Sequence, residues 1–344
     1  MTLYCRRYGS ALKLSRNSYK YEVVITDSDH LDGEFEQGIL GTVGAHVKKY
    51  QTYDEKEVIK ITKTADAIMC DYAPISRAVI SGLQKARVIV VYGVGYDNVD
   101  VKAAKEKSII VCNVPDYMTY EVAEHALALI LSLVRRVTWG DNLAKAGRWS
   151  EYGASAWAKL MPITHLDGKT AGIVGFGRIG QQVAERLQAF KMNVIAFDPY
   201  VPKDVAARMN VELVDLPTLM KQSDIISVNC LLTKETFHLI GKKELDAMKE
   251  TAMIVNTARG KVIDQVALVD ALKSKRIAAA GLDVLEKEPY DPNDPILELE
   301  NVIITPHVGG ISDKAVTNLR RLATEEVARV LRGEPPKHPV TAPA

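Results

Sequence analysis

Near the middle of the chain, Gly175-Phe176-Gly177-Arg178-Ile179-Gly180 joins a short apolar run, residues 169–174, to a segment of helical spacing, residues 178–190. A glycine-rich link between a buried strand and a helix commits this region to an α/β unit with a parallel sheet. Gly175 allows a tight turn, Gly177 lets the backbone approach a pyrophosphate, and Gly180 lets the helix pack close to the strand. The helix start offers free N–H groups and the positive end of its dipole. Residues 193–197 read as a second strand ending at Asp198. That carboxylate is placed to accept hydrogen bonds from both ribose hydroxyls and to repel a 2′-phosphate. Glycine-rich turns are common on their own; strand, helix, second strand and acid in register make this one specific. The expectation is a dinucleotide site that favours NAD over NADP.

The remaining composition narrows the class by exclusion. With 344 residues the chain suits two domains or one large one. Lys plus Arg is 44 against 43 Asp plus Glu, so no charge bias points to nucleic acid or an anionic membrane. No apolar run reaches membrane-spanning length. Cys5, Cys70, Cys112 and Cys230 lack metal-ligand spacing and read as reduced, mostly buried thiols of a cytoplasmic protein; no metal site is expected. Residues 1–20 carry Arg6, Arg7, Lys13, Arg16 and Lys20 without an acid. A transit peptide shares that composition, but the stretch has no clear amphipathic period and reads as an extension outside the core.

The first strand pattern is the β-branched run 22–26. Helical and strand patterns then alternate through 43–50, 55–63, 67–70, 76–85, 88–92, 101–107 and 109–113, the signature of a second, smaller parallel α/β unit. Residues 121–136 read as a long helix, apolar enough for a core or an interface. Residues 139–168 read as an irregular bridge. Strands follow at 225–229, 253–256, 278–283 and 302–305, then an amphipathic helix at 315–331 and a loose proline-rich tail from 333.

Three of these strands end on residues of different chemistry. Arg259 follows 253–256, Glu288 follows 278–283, and His307 follows 302–305. Ligands of open α/β sheets sit at the carboxyl ends of strands. Oxidation of a 2-hydroxy acid needs such a set. Arg holds a carboxylate in a planar, bidentate way. His exchanges the hydroxyl proton near neutral pH. A carboxylate orients the imidazole and favours its protonated form.

Six blocks in order carry a resemblance: Gly93-Val-Gly-Tyr-Asp-Asn-Val-Asp100, Glu121-Val-Ala-Glu-His-Ala126, the fingerprint with Asp198, Asn256-Thr-Ala-Arg-Gly260, Gly281-Leu-Asp-Val-Leu-Glu-Lys-Glu-Pro289 and Thr305-Pro-His-Val-Gly-Gly310. From about Glu22 to Pro339 the chain resembles the D-isomer-specific 2-hydroxyacid dehydrogenases. Arg135-Arg136-Val-Thr-Trp139 and Asp198-Pro-Tyr200 resemble the branch that includes the C-terminal-binding-protein corepressors. The resemblance implies a Rossmann-type doubly wound NAD-binding domain, residues 117–311, inserted into a smaller flavodoxin-like α/β substrate domain, residues 21–116 and 312–344. It makes 121–136 a helix that crosses between domains and forms a homodimer.

The resemblance also implies roles residue by residue. Arg259, Glu288 and His307 match the catalytic set. Arg178 and Ile179 match residues over the pyrophosphate, alongside Gly175, Gly177 and Gly180. Cys230, Thr257 and Ala258 match residues lining the adenosine and nicotinamide path, with Arg259 and His307 beside it. Asp283 matches an acid that binds the nicotinamide carboxamide, and Gly309 and Gly310 match the turn beside it. Val94 and Gly95 match a loop whose N–H groups hold the substrate carboxylate. Tyr72 is the aromatic expected to shape the pocket, whereas Tyr96, Tyr117 and Trp157 are expected in core packing. The implied activity is 2-oxoacid reduction on a small acid such as glyoxylate, hydroxypyruvate or pyruvate. Phosphoglycerate dehydrogenase is an alternative, weakened because Cys70 and Val91 stand where that enzyme has phosphate-binding arginines, because Asp71 adds a repelling charge, and because no regulatory domain follows. An NAD(H)-sensing interaction protein like the corepressors is the other alternative, weakened because Gly310 and Ile311 stand where those proteins carry a Trp.

Overall fold

The computed structural model describes residues 19–28 and 32–340. The expectation for the N-terminal extension therefore falls almost wholly outside the described residues. The chain divides into two compact units, one from Met1–Tyr117 with Ser312–Ala344, the other from Met118–Ile311.

The first unit is a parallel five-stranded sheet of β1 (Tyr21–Ile25), β2 (Ala45–Lys49), β3 (Ala67–Cys70), β4 (Val88–Val91) and β5 (Ile110–Cys112), in the order β2-β1-β3-β4-β5. This is the flavodoxin-like order. Every residue of β3 and β4 is buried, because helices cover both faces of the sheet. The helix Asp313–Leu331 supplies part of one cover, its Ala323, Val327, Ala328 and Leu331 joining Val23, Ile25, Val88 and Val90 in one cluster.

The tail that follows departs from the expectation of a loose end. Pro339 bridges Cys112 in antiparallel fashion, Val340 N–H donates to Val111 O at 2.7 Å, and Lys337 N–H donates to the Glu326 carboxylate. Proline has no N–H to pair, but its neighbours do, so the tail covers the open edge of β5.

The second unit is a parallel seven-stranded sheet of β6 (Thr170–Val174), β7 (Asn193–Phe197), β8 (Glu212–Leu213), β9 (Ile225–Val228), β10 (Met253–Asn256), β11 (Ala279–Leu282) and β12 (Val302–Ile304), ordered β12-β11-β10-β9-β6-β7-β8. It is a doubly wound Rossmann sheet, and the chain reverses direction of growth between β6 and β9. The helix Thr119–Arg135 lies on one face. Its Leu129 and Leu133 close on Gly281, where an added Cβ would come within 3.2–3.3 Å of them. The apolar side of this helix is thus spent on its own unit, while Glu124, Ala128 and Arg135 stay exposed.

The segment expected to be irregular is mostly helical: Val137–Lys145, Arg148–Tyr152 and the 3-10 stretch Gly153–Leu160. None of the three buries a residue, so they lack the one-sided apolar period that reveals a helix packed on a core. Trp157 is accordingly exposed rather than a core residue, whereas Tyr96 and Tyr117 pack against clusters of the first unit.

Candidate active site

The fingerprint turn is built by steric exclusion. Gly175 sits at φ 89°, and a Cβ there would lie 2.6 Å from the Cys230 backbone nitrogen. A Cβ on Gly180 would overlap the Gly175 carbonyl oxygen. Gly177 is different: nothing lies within 4 Å of its would-be Cβ, so its glycine leaves open space in front of the helix Arg178–Ala189. Arg178 is exposed at that helix start, and Ile179 packs back against the core.

Asp198 caps the turn from the end of β7. Its Oδ2 accepts from Phe176 N–H at 2.8 Å, and its Oδ1 accepts from Tyr200 and Val201 N–H at 2.9 and 3.2 Å. A carboxylate offers about four acceptor positions. Most of this one therefore serves the chain itself.

Two buried side-chain oxygens next door have no partner among the described residues: Asn229 Oδ1 after β9 and Thr257 Oγ1 after β10. Buried polar atoms are normally satisfied, so an orphaned pair at neighbouring strand ends marks room for a polar ligand. With the open face at Gly177, at the start of the helix Arg178–Ala189, these residues fit a dinucleotide. Cys230 follows Asn229 and lies against Gly175, and burial pushes its thiol up to about 12, so it stands here as a neutral group.

The strand ends beyond carry the expected reactive set. Asn256 shapes the loop after β10 by accepting from Ala258 N–H and donating to Arg259 O. Gly260 then runs flush against the Leu285 and Glu286 backbone, which fixes the Arg259 loop against the loop that leads to Glu288. Glu288 Oε1 accepts from Leu285 N–H at 2.9 Å, and its Oε2 lies 2.6 Å from His307 Nδ1. A carboxylate accepts, so Nδ1 carries the hydrogen in this pair.

His307 itself has φ 54°, a left-handed conformation uncommon for a residue with a side chain. Asp283 holds it there. The Asp283 carbonyl accepts from His307 N–H at 2.8 Å, and its carboxylate accepts from Val308 N–H at 3.0 Å and Gly309 N–H at 2.8 Å. Thr305 Oγ1 donates to Asp283 Oδ1 at 2.6 Å. His125 Nε2, from the helix Thr119–Arg135, lies 2.8 Å from Thr305 Oγ1 and 3.3 Å from Asp283 Oδ1. Burial pushes the Asp283 carboxyl up, but the hydrogen bonds from His125, Thr305, Val308 and Gly309 outweigh it, and the group lies below the usual carboxylate range. Gly310 completes the turn against Met118.

Asp283, expected to meet the nicotinamide carboxamide, is seen here as a clamp on the His307 turn, and His125 and Thr305, which join it, are absent from the expected site. Both lie in the quoted blocks, yet neither shows its contact without the fold, since 180 residues separate them.

In the first unit, Tyr72 is 52% exposed after β3. Its loop is fixed by buried Asp27, which accepts from the N–H groups of Asp71, Tyr72 and Ala73, and by Asn98, which donates to the Asp71 and Ala73 carbonyls. Val94 and Gly95 are half-buried after β4, where Asn113 donates to Val94 O at 2.7 Å. Among the described residues, no group of three or more His, Cys, Asp or Glu is placed to hold a metal, and no helix is long and apolar enough to cross a membrane.

Residues 127–309 match the model of the D-isomer specific 2-hydroxyacid dehydrogenase NAD binding domain. A glyoxylate reductase of Korarchaeum cryptofilum is 40% identical over 284 residues, covering 82% of this chain and 84% of that protein. The chain belongs to the D-isomer-specific 2-hydroxyacid dehydrogenases. This is a family of NAD-dependent oxidoreductases, and the second unit is its NAD-binding domain. A D-3-phosphoglycerate dehydrogenase of Archaeoglobus fulgidus is 38% identical over 302 residues, 88% of this chain, but the match spans only 56% of that longer protein. Among solved structures, the D-lactate dehydrogenase of Aquifex aeolicus, complexed with NAD and lactic acid, aligns with a TM-score of 0.84 at 30% identity, covering 94% of this chain and all of that one.

Proposed function

We propose that this dehydrogenase reduces a small 2-oxoacid of the glyoxylate, hydroxypyruvate or pyruvate type with NADH, and runs the reverse oxidation of the 2-hydroxy acid. The observation that carries the reading is the His307–Glu288 pair at 2.6 Å, on strand ends of the NAD-binding unit, with the Arg259 loop seated against the Glu288 loop. NADH supplies the hydride when bound. Arg259 holds the substrate carboxylate through its guanidinium fork. His307 delivers the Nε2 proton to the carbonyl oxygen as that oxygen becomes a hydroxyl, and takes it back in the oxidation. Glu288 accepts the Nδ1–H and keeps the ring in one orientation. Acid–base catalysis of this kind is typically worth about 10²–10⁴-fold.

Gly175, Gly177, Arg178, Ile179 and Gly180 are assigned to the pyrophosphate, and Asp198 to the adenosine ribose. Cys230, Thr257 and Ala258 are assigned to the cofactor wall, and Gly309 and Gly310 to the turn beside the nicotinamide. One Asp283 Oδ2 acceptor position remains for the carboxamide after Gly309 N–H is counted. The first unit is assigned to substrate recognition, with Val94 and Gly95 offering N–H groups and Tyr72 setting the size. Cys70 and Val91 are buried and uncharged, which favours a substrate without a phosphate. Free thiols at Cys70, Cys112 and Cys230 support a cytoplasmic setting. The exposed apolar side chains of Val137, Trp149, Trp157 and Met161 support a homodimer.

His307→Ala tests the reading. Turnover is expected to fall by about 10²–10⁴-fold while NADH affinity, read by nucleotide fluorescence, stays at the wild-type value. Equal loss of both would make His307 a structural residue.

A further inference from the structure

The turn that carries His307 is held by one buried carboxylate, and that carboxylate is held in turn by the helix Thr119–Arg135. Asp283 is 3% exposed and takes the N–H groups of Val308 and Gly309. Thr305 and His125 complete its surroundings, and the direction of their hydrogen bonds follows from counting protons. Thr305 has one hydroxyl proton. At 2.6 Å from an ionised carboxylate oxygen that proton goes to Asp283. The Thr305 oxygen is then an acceptor, so at 2.8 Å His125 Nε2 must carry a hydrogen and donate it. The same N–H points toward Asp283 Oδ1 at 3.3 Å. The chain of donors runs from His125 to Thr305 to Asp283, and meets the donors from Val308 and Gly309 there. His125 also packs along the turn, since a Cβ on Gly309 would lie 3.3 Å from His125 Cδ2 and 2.8 Å from Asp283 Oδ2.

We propose that His125 is a positioning residue for the reaction: its Nε2–H locks Thr305 and Asp283 so that the 305–310 turn keeps His307 in its left-handed conformation, aimed by Glu288. The proposal rests on the acid–base role given to His307 above. It predicts an effect on rate rather than on substrate capture, because Arg259 stands on a different loop that His125 does not hold. Misplacing a reactive group by about 1 Å can cost on the order of 10²-fold in rate.

Two substitutions separate donation from packing. His125→Leu keeps volume and removes the N–H; His125→Gln keeps a donor at the end of a side chain of similar reach. In His125→Leu, kcat is expected to fall about 10- to 100-fold with KM for the oxoacid little changed. Its Val308 and Gly309 amides are expected to exchange with deuterium about tenfold faster, as suits a weakened local clamp. His125→Gln is expected to restore most of both. Wild-type kcat and wild-type amide protection in His125→Leu overturn the proposal, and so does a His125→Gln enzyme as impaired as His125→Leu. If His125→Leu does not fold, Thr305→Val removes the middle hydroxyl at nearly constant volume. The same paired loss is then expected, and its absence overturns the proposal equally. A wild-type chain that turns over no oxoacid defeats the functional reading, while amide exchange still decides the clamp.

Discussion

At the scale of single residues, the site is a set of side chains that each serve the chain before they serve a ligand. Asp198 is the clearest case, with backbone N–H groups of Phe176, Tyr200 and Val201 on its carboxylate. Under the proposed assignment to the adenosine ribose, its negative charge would disfavour a 2′-phosphate and its remaining acceptor position would take a ribose hydroxyl. Hydrogen bonds to charged groups contribute about 1.5–3 kcal/mol. Asp198→Ala is therefore expected to raise the NADH dissociation constant by about 10- to 100-fold and that of NADPH by less. An unchanged NADH-to-NADPH ratio in paired titrations would remove Asp198 from this role. Arg259, Glu288 and His307 stand out in the sequence because each follows a short apolar strand run, at the edge where ligands of such sheets collect. Asp283 was legible only as a ligand residue. Its clamp on the His307 turn, and the part of His125 in it, depend on a contact between distant segments that no local pattern encodes.

At the scale of elements, glycine placement sorts into two physical kinds that the sequence does not separate. Gly260 and Gly180 exist for close approach of protein to protein, whereas Gly177 fronts open space. The two kinds predict opposite failures. Gly260→Ala is expected to cost roughly 1–3 kcal/mol of stability from backbone overlap with Leu285, seen as a lower thermal midpoint. Gly177→Ala is expected to melt with the wild type but bind NADH at least about tenfold more weakly, since the methyl group occupies ligand space. A Gly177→Ala protein with full NADH affinity would contradict the pyrophosphate assignment.

Six of the seven strands of the second unit were readable to within about a residue because parallel strands are short, continuous apolar runs, whereas the two-residue β8 was not read. Several helices were not read. Leu216–Gln222 and Gln265–Lys273 start behind Asp215 and Asp264, whose carboxylates cap them, but their short apolar stripes compete with flanking strands. The helices from 137 to 160 bury nothing in this chain, so the periodic signal had no core to reflect.

At the scale of the whole molecule, the chain pairs a flavodoxin-like sheet with a Rossmann sheet, and the split of the first around the second was foreshadowed by a fingerprint in mid-chain. The docked tail at Pro339 and Val340 was not, because prolines mark turns and ends without saying what they lie against. Trp149 and Trp157 are 64% and 63% exposed, a poor arrangement for a monomer in water. Sedimentation is expected to give a dimer for the wild type and a monomer after Trp149→Glu with Trp157→Glu; a monomeric wild type would overturn the homodimer.

The most direct measurement is oxidation of NADH, followed at its absorbance band, against a panel of glyoxylate, hydroxypyruvate, pyruvate and phosphohydroxypyruvate. Turnover of one or more of the three unphosphorylated acids, faster than of phosphohydroxypyruvate, is the predicted result. Preference for the phosphorylated acid would contradict the substrate assignment, and no turnover of any member would contradict the activity itself.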